Sequence, residues 1–194
     1  MVRFFIVIFI FFNLFNKAFS GQEFYPLPQN IPVHTKILWG ENGIIRKLKL
    51  NPKTRSSELR LRVKMLQLHQ KIALGTLCVF SYQSYLGNQM VNEDYTNRDI
   101  HRKLSKVVWL SYMSSASLSY FAPPAMKYSK RFDSMTIHRV LSWFHFSGMA
   151  VIPYLGYSIA NSENYNEAVR VHQTVALTTL GTMFLSAILS FIPY

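Results

Sequence analysis

Cysteine is nearly absent. The 194 residues hold one, Cys78, so no intramolecular disulfide can form. Charge is scarce as well: 15% of the residues are charged, well below the roughly 25% typical of soluble proteins. Acidic residues are the rarest, nine against 21 Lys and Arg, for a formal net charge of +12. In their place stand hydrophobic residues (49%) and aromatic residues (15%). That balance excludes an ordinary soluble domain and puts the chain in the membrane class. The positive excess does not imply nucleic acid as a partner. The basic residues flank apolar runs, where they suit the anionic headgroups of a lipid bilayer.

Residues 1–20 carry Arg3, an apolar run from Phe4 to Phe15, and small residues at Ala18 and Ser20. This is the layout of a secretory signal peptide cleaved after Ser20, with an uncleaved anchor as the alternative. The run is short for a spanning helix, which needs about 20 apolar residues. Residues 21–60 form a second division. Pro26, Pro28 and Pro32 mark a tether in which His34 has no helical partner and reads as solvated. A basic collar follows over 36–64, with nine Lys and Arg against Glu41 and Glu58. Trp39, Ile44, Ile45, Leu48 and Leu50 give it an apolar side, so a short helix lying on the membrane surface is expected. Asn51-Pro52 breaks that helix, and a second one starts near Ser56-Ser57 and runs into the first span.

Residues 61–194 hold four spanning candidates: Met65–Gly87, Asp99–Phe121, Ile137–Ala160 and Val169–Ile192. Each approaches the length a bilayer requires. The joints between them are short, so neighbouring helices must be antiparallel. The predicted fold is all-α, an up-down transmembrane four-helix bundle preceded by a signal peptide and a basic juxtamembrane segment. Pro153 is expected to kink the third helix. Small residues such as Gly75, Ser111, Ser115, Gly148, Gly181 and Ser186 permit close helix approach.

A five-residue pattern, aliphatic-His-Gln/Arg-any-aliphatic, opens every span. The copies are Leu68–Ile72, Ile100–Leu104, Ile137–Leu141 and Val171–Val175. A lone histidine at a helix end is ordinarily an interfacial residue; four in four spans ask for more. Antiparallel helices put His69 and His138 on one side and His101 and His172 on the other. Opposite ends lie roughly 20–30 Å apart at 1.5 Å rise per residue, so one four-histidine metal centre is excluded. Two sites of two histidines remain. Zinc needs three or four protein ligands, and no Cys, Asp or Glu in the spans completes such a set. Haem iron needs only two axial ligands, and imidazole is among its usual ones. No C-x-x-C-H motif is present, so the haem expected is b-type, two per chain. Arg102 and Arg139 follow two of the histidines and either pair with propionates or snorkel to headgroups. His145, two turns deeper than His138, competes with it as partner of His69 or acts as its hydrogen-bond neighbour. Depth matching favours His138.

This arrangement resembles the core of the cytochrome b-561 family over about residues 60–192, in a bacterial-type four-helix variant. The resemblance implies His69 with His138 and His101 with His172 as axial ligands of two b haems. It also implies transmembrane electron transfer, and hence an oxidoreductase. The eukaryotic family has six spans and an ascorbate-site motif, neither of which occurs here, so a quinol or a redox partner protein takes the donor's place. A membrane anchor or structural subunit of a larger complex, with or without haem, is the second reading, and a homo-oligomer is compatible with either. The expected location is a bacterial inner membrane with the N-terminal segment periplasmic. The basic collar and the Lys127-Lys130-Arg131 joint argue for the opposite orientation.

Overall fold

The computed structural model describes residues 27–28, 30–128 and 133–192. The expected signal peptide, the start of the tether, and Lys130 and Arg131 lie outside the described residues. The protein is all-helical, with no strand among the described residues. Its helices are α1 (Val33–Trp39), α2 (Ile44–Lys47), α3 (Arg55–Val91), α4 (Arg98–Tyr120), α5 (Ser134–Ser158) and α6 (Tyr165–Leu189). A 3-10 turn, Ile159–Asn161, follows α5. The chain divides into two compact units. One combines Met1–Gln67 with Leu118–Ser129, and the other combines Leu68–Ser117 with Lys130–Tyr194.

The first unit corrects the tether-and-collar expectation. Pro32 precedes α1, the position where a missing N–H costs nothing, and the helix buries Thr35 and Trp39. His34 is therefore helical, and its ring stacks on Tyr120 with centroids 5.0 Å apart. The Trp39 indole N–H donates to the Phe121 carbonyl at 3.1 Å. Basic residues of the collar have partners within the protein. Arg46 and Arg55 both bind Glu58, at 2.8 and 2.7 Å, and Glu58 is 2% exposed. Arg55 also donates to the carbonyls of Pro124 and Ala125, and Arg62 to that of Pro123. Carbonyls in a proline-rich loop have no helical partner, and the guanidinium fork can satisfy several of them at once. Thr54 caps α3 by accepting from the Ser57 N–H at 3.2 Å, so the helix begins within a residue or two of its expected start.

In the second unit all four long helices supply the core: Leu77 and Phe80, Val108 and Tyr112, Met149 and Ile152, and Met183. Buried with them are Thr76, Gln83, Ser115, Thr179 and Ser186, each polar. The outward faces carry Tyr82, Tyr85, Trp143, Phe144, Tyr154, Tyr157, Phe184 and Leu185. Helix α5 runs through Pro153 without a break. It passes close to α6 at Gly148, where an added Cβ would run into Thr179. Asp133 caps α5 by accepting from the Thr136 N–H at 2.8 Å.

Among the described residues, α6 is the one helix long and apolar enough to cross a membrane by length and composition. The four spans expected from the sequence thus reduce to one by that criterion. The reason is compositional. Arg98, Asp99, Arg102, Lys103 and Lys106 occupy the first half of α4; His69, Thr76, Gln83 and Ser84 interrupt the apolar run of α3, and His138, Arg139, His145, Pro153 and several serines and tyrosines that of α5.

Candidate functional site

Within the second unit three of the four histidines of the repeated pattern are hydrogen-bonded to the backbone of the neighbouring helix. In the α3–α4 hairpin, His69 Nδ1 lies 2.9 Å from the Ser115 carbonyl oxygen and 2.9 Å from its hydroxyl. The same hydroxyl donates back to the His69 carbonyl at 3.0 Å. At the other end of the hairpin, His101 Nδ1 lies 3.0 Å from the Gln83 carbonyl oxygen. The α5–α6 hairpin repeats the scheme. His138 Nδ1 meets the Ser186 carbonyl at 2.8 Å and its hydroxyl at 2.9 Å. His172 Nδ1 faces the Ile152 carbonyl but does not complete a hydrogen bond of normal geometry, and is buried.

A carbonyl can only accept, so the proton of each bonded ring sits on Nδ1. The opposite nitrogen, Nε2, is left unprotonated with its lone pair free. This is the second-shell arrangement found around metal-bound histidine, which fixes the ring and raises its basicity. Two glycines make room for it. An added Cβ at Gly87 would stand 3.1 Å from His101 Cε1, and one at Gly156 would stand 3.1 Å from His172 Cε1.

From the sequence Ser115 and Ser186 stand out only as small residues that permit close helix approach, and Gly156 and Gln83 not at all, although a signal for their role exists. Tyr85-Leu86-Gly87 follows His69 at the same spacing as Tyr154-Leu155-Gly156 follows His138. Ser115-Ala116-Ser117-Leu118-Ser119 follows His101 as Ser186-Ala187-Ile188-Leu189-Ser190 follows His172. The two hairpins are thus an internal repeat, and the structure gives the repeated glycines and serines their use.

The hairpins bring the histidines together in two groups. His69 and His138 are close enough to interact electrostatically, as are His101 and His172. On every helix the two levels are fourteen residues apart, from His69 to Gln83, His101 to Ser115, His138 to Ile152 and His172 to Ser186. That separation is about 21 Å at helical rise.

His101 and His172 line a cavity of about 900 Å³, within the range of roughly 300–1,000 Å³ usual for ligand and cofactor pockets. Phe80, Val108, Met149 and Ile152 form its apolar walls, and Arg102 and Lys106 stand along it. Three buried side-chain atoms among the described residues lack a hydrogen-bond partner: Gln83 Oε1, Ser84 Oγ and His172 Nδ1. All three residues line this cavity. Buried polar atoms are nearly always satisfied in native proteins, so their concentration here points to a site built for an occupant.

His145 is anchored differently. Its Nδ1 lies 2.6 Å from the Tyr112 hydroxyl, with the rings edge to face. It is within electrostatic range of both His138 and His69. Arg102 and Arg139 are exposed; Arg139 lies within range of Asp133. No group of three or more His, Cys, Asp or Glu side chains converges as a metal cluster among the described residues. Comparison with protein-family models, with curated proteins and with solved structures gives no match.

Proposed function

We propose that this chain is a membrane-embedded b-type cytochrome that holds two haems, through His69 with His138 and His101 with His172, and moves electrons between them across the bilayer. The observation that carries the reading is the cavity at His101 and His172. Imidazoles from the two hairpins, His101 and His172, line it, and so do Gln83 and Ser84, which carry buried side-chain oxygens without a hydrogen-bond partner. A two-nitrogen donor set in apolar walls suits haem, whose porphyrin supplies the other four ligands. It does not suit zinc.

When bound, haem supplies a one-electron ferric–ferrous couple. The chain's own residues do the rest. The Ser115, Gln83 and Ser186 carbonyls hold His69, His101 and His138 in one tautomer. Gly87 and Gly156 admit the His101 and His172 rings beside the facing helix, and Arg102 at the cavity offers a partner for a propionate. The membrane setting draws its support from the large apolar and aromatic side chains that the second unit's helices expose, among them Tyr82, Trp143, Phe144, Tyr154 and Phe184. In lipid, helices associate through small and polar residues, and apolar side chains face outward. On this reading α3 to α6 cross the bilayer as an antiparallel bundle.

The test is a dithionite-reduced minus oxidised visible spectrum of the purified chain, with pyridine haemochrome quantification. Two b haems per chain are expected, falling to one in His101→Ala and in His69→Ala. One haem per chain, lost in His101→Ala and kept in His69→Ala, would leave a single-haem anchor. No haem after expression with haem precursor would overturn the reading.

A further inference from the structure

One buried pair in the second unit has no part in ligation as described. Tyr112, on α4, is 4% exposed, and its hydroxyl meets His145 Nδ1 at 2.6 Å. The repeat shows how unusual the pair is. In the register that matches His69 with His138, His145 corresponds to Thr76; in the register that matches His101 with His172, Tyr112 corresponds to Met183. Thr76 spends its hydroxyl on the Ile72 carbonyl and on Ser111, and Met183 packs in the core. At the matching positions of the repeat, one pair is therefore apolar or internally satisfied, and the other is a hydrogen-bonded phenol and imidazole.

The depth of the pair also matters. His145 lies seven residues beyond His138 and seven short of Ile152, about 10 Å along the helix from each histidine level. Neither Tyr112 nor His145 lines the cavity of His101 and His172, and His145 is within electrostatic range of both His69 and His138. A polar, hydrogen-bonded pair acts strongly in a low-dielectric interior. Hydrogen bonding and burial around an iron site are among the levers that set its reduction potential.

We propose that Tyr112 and His145 are positioning residues which set the reduction potential of the His69–His138 centre apart from that of the His101–His172 centre, giving electron flow between the two a preferred direction. This rests on the cytochrome reading above. One electron enters or leaves each centre, and no covalent bond changes.

The experiment is a potentiometric titration of the haem-loaded full chain in detergent, reduced with dithionite and reoxidised with ferricyanide. It compares the native chain with the double variant Tyr112→Met, His145→Thr. Those residues already occupy the matching positions of the repeat, so the variant places side chains that this fold accommodates. The expected result is two distinct midpoints in the native chain, with one of them displaced in the variant and the other unmoved. The His101→Ala chain, which keeps the first centre alone, identifies the displaced midpoint as that of His69–His138. Tyr112→Phe, which removes only the hydroxyl, is expected to shift the same midpoint by less. Two haems with unchanged midpoints, or with both displaced equally, would overturn this inference and leave the cytochrome reading standing. Loss of the first haem from His145→Thr alone would make His145 a ligand and overturn it too. A native chain without haem would overturn both.

Discussion

The His138 imidazole reaches across to the Ser186 carbonyl at 2.8 Å, and the Ser186 hydroxyl stands beside the same nitrogen at 2.9 Å. His69 and Ser115 hold the same relationship at the same end of the other hairpin. A residue that orients a ligand in this way is typically worth 10–100-fold in affinity. Ser186→Ala keeps the carbonyl and loses the hydroxyl. It is therefore expected to weaken haem binding at that site by about tenfold, the lower end of that range. Titration of the apoprotein with haem measures this, and Ser147→Ala, on an exposed position, should leave affinity unchanged.

Gly87 lies close against a neighbour, since a Cβ there would stand 3.1 Å from His101 Cε1. Gly87→Val is expected to displace the ring and reduce the haem content from two to one, and Gly156→Val to do the same through His172. Gly75 has nothing within 4 Å of an added Cβ. Gly75→Ala should keep both haems. Pyridine haemochrome values on the three variants distinguish these outcomes.

Glu58 is the acid that two arginines share in the first unit. Removing one partner of a buried ion pair leaves an uncompensated charge, at a cost of roughly 3–5 kcal/mol. Glu58→Ala should lower the thermal midpoint accordingly. Replacing Arg46 with Met in the same chain should restore part of it, because one of the stranded cations is then gone. Equal midpoints for the native and Glu58→Ala chains would show that solvent already screens the triad.

Asp133 gives a pH dependence with a definite sign. Its carboxyl accepts from the Thr136 N–H and hydroxyl, and the backbone bond, first, and the side-chain bond hold it below the ordinary value of 3.8. The cap's contribution is present in full above the ordinary carboxylate value and is lost as pH falls through the lowered one. Amide exchange in the first turn of α5, taken relative to its intrinsic rate at each pH, should accelerate as pH falls below the ordinary carboxylate value. Asp133→Asn, which caps without a titrating group, should remove that acceleration.

The sequence by itself determined where the four long helices lie, though not α1, because apolar spacing and short polar joints act locally. It also led to the expectation of two histidine pairs, because antiparallel helices put alternate helix starts on opposite sides. It carried the Tyr-Leu-Gly and Ser-Ala-x-Leu-Ser repeats as well, although only the histidines they support give those strings a meaning. What the tertiary structure decided is of another kind. Every residue has a carbonyl, so nothing in residue type announces that Gln83, Ser115 and Ser186 offer theirs to a ring on the next helix; that depends on the rotational phase of two packed helices. The same holds for the distinction between His138, anchored like His69 and His101, and His145, anchored to Tyr112. The collar is the clearest case. Read along the chain, Arg46, Arg55 and Arg62 form a basic stripe, but a loop sixty or more residues away supplies the carbonyls that bind Arg55 and Arg62. Local chemistry sets which groups are available, and long-range packing chooses which of them meet.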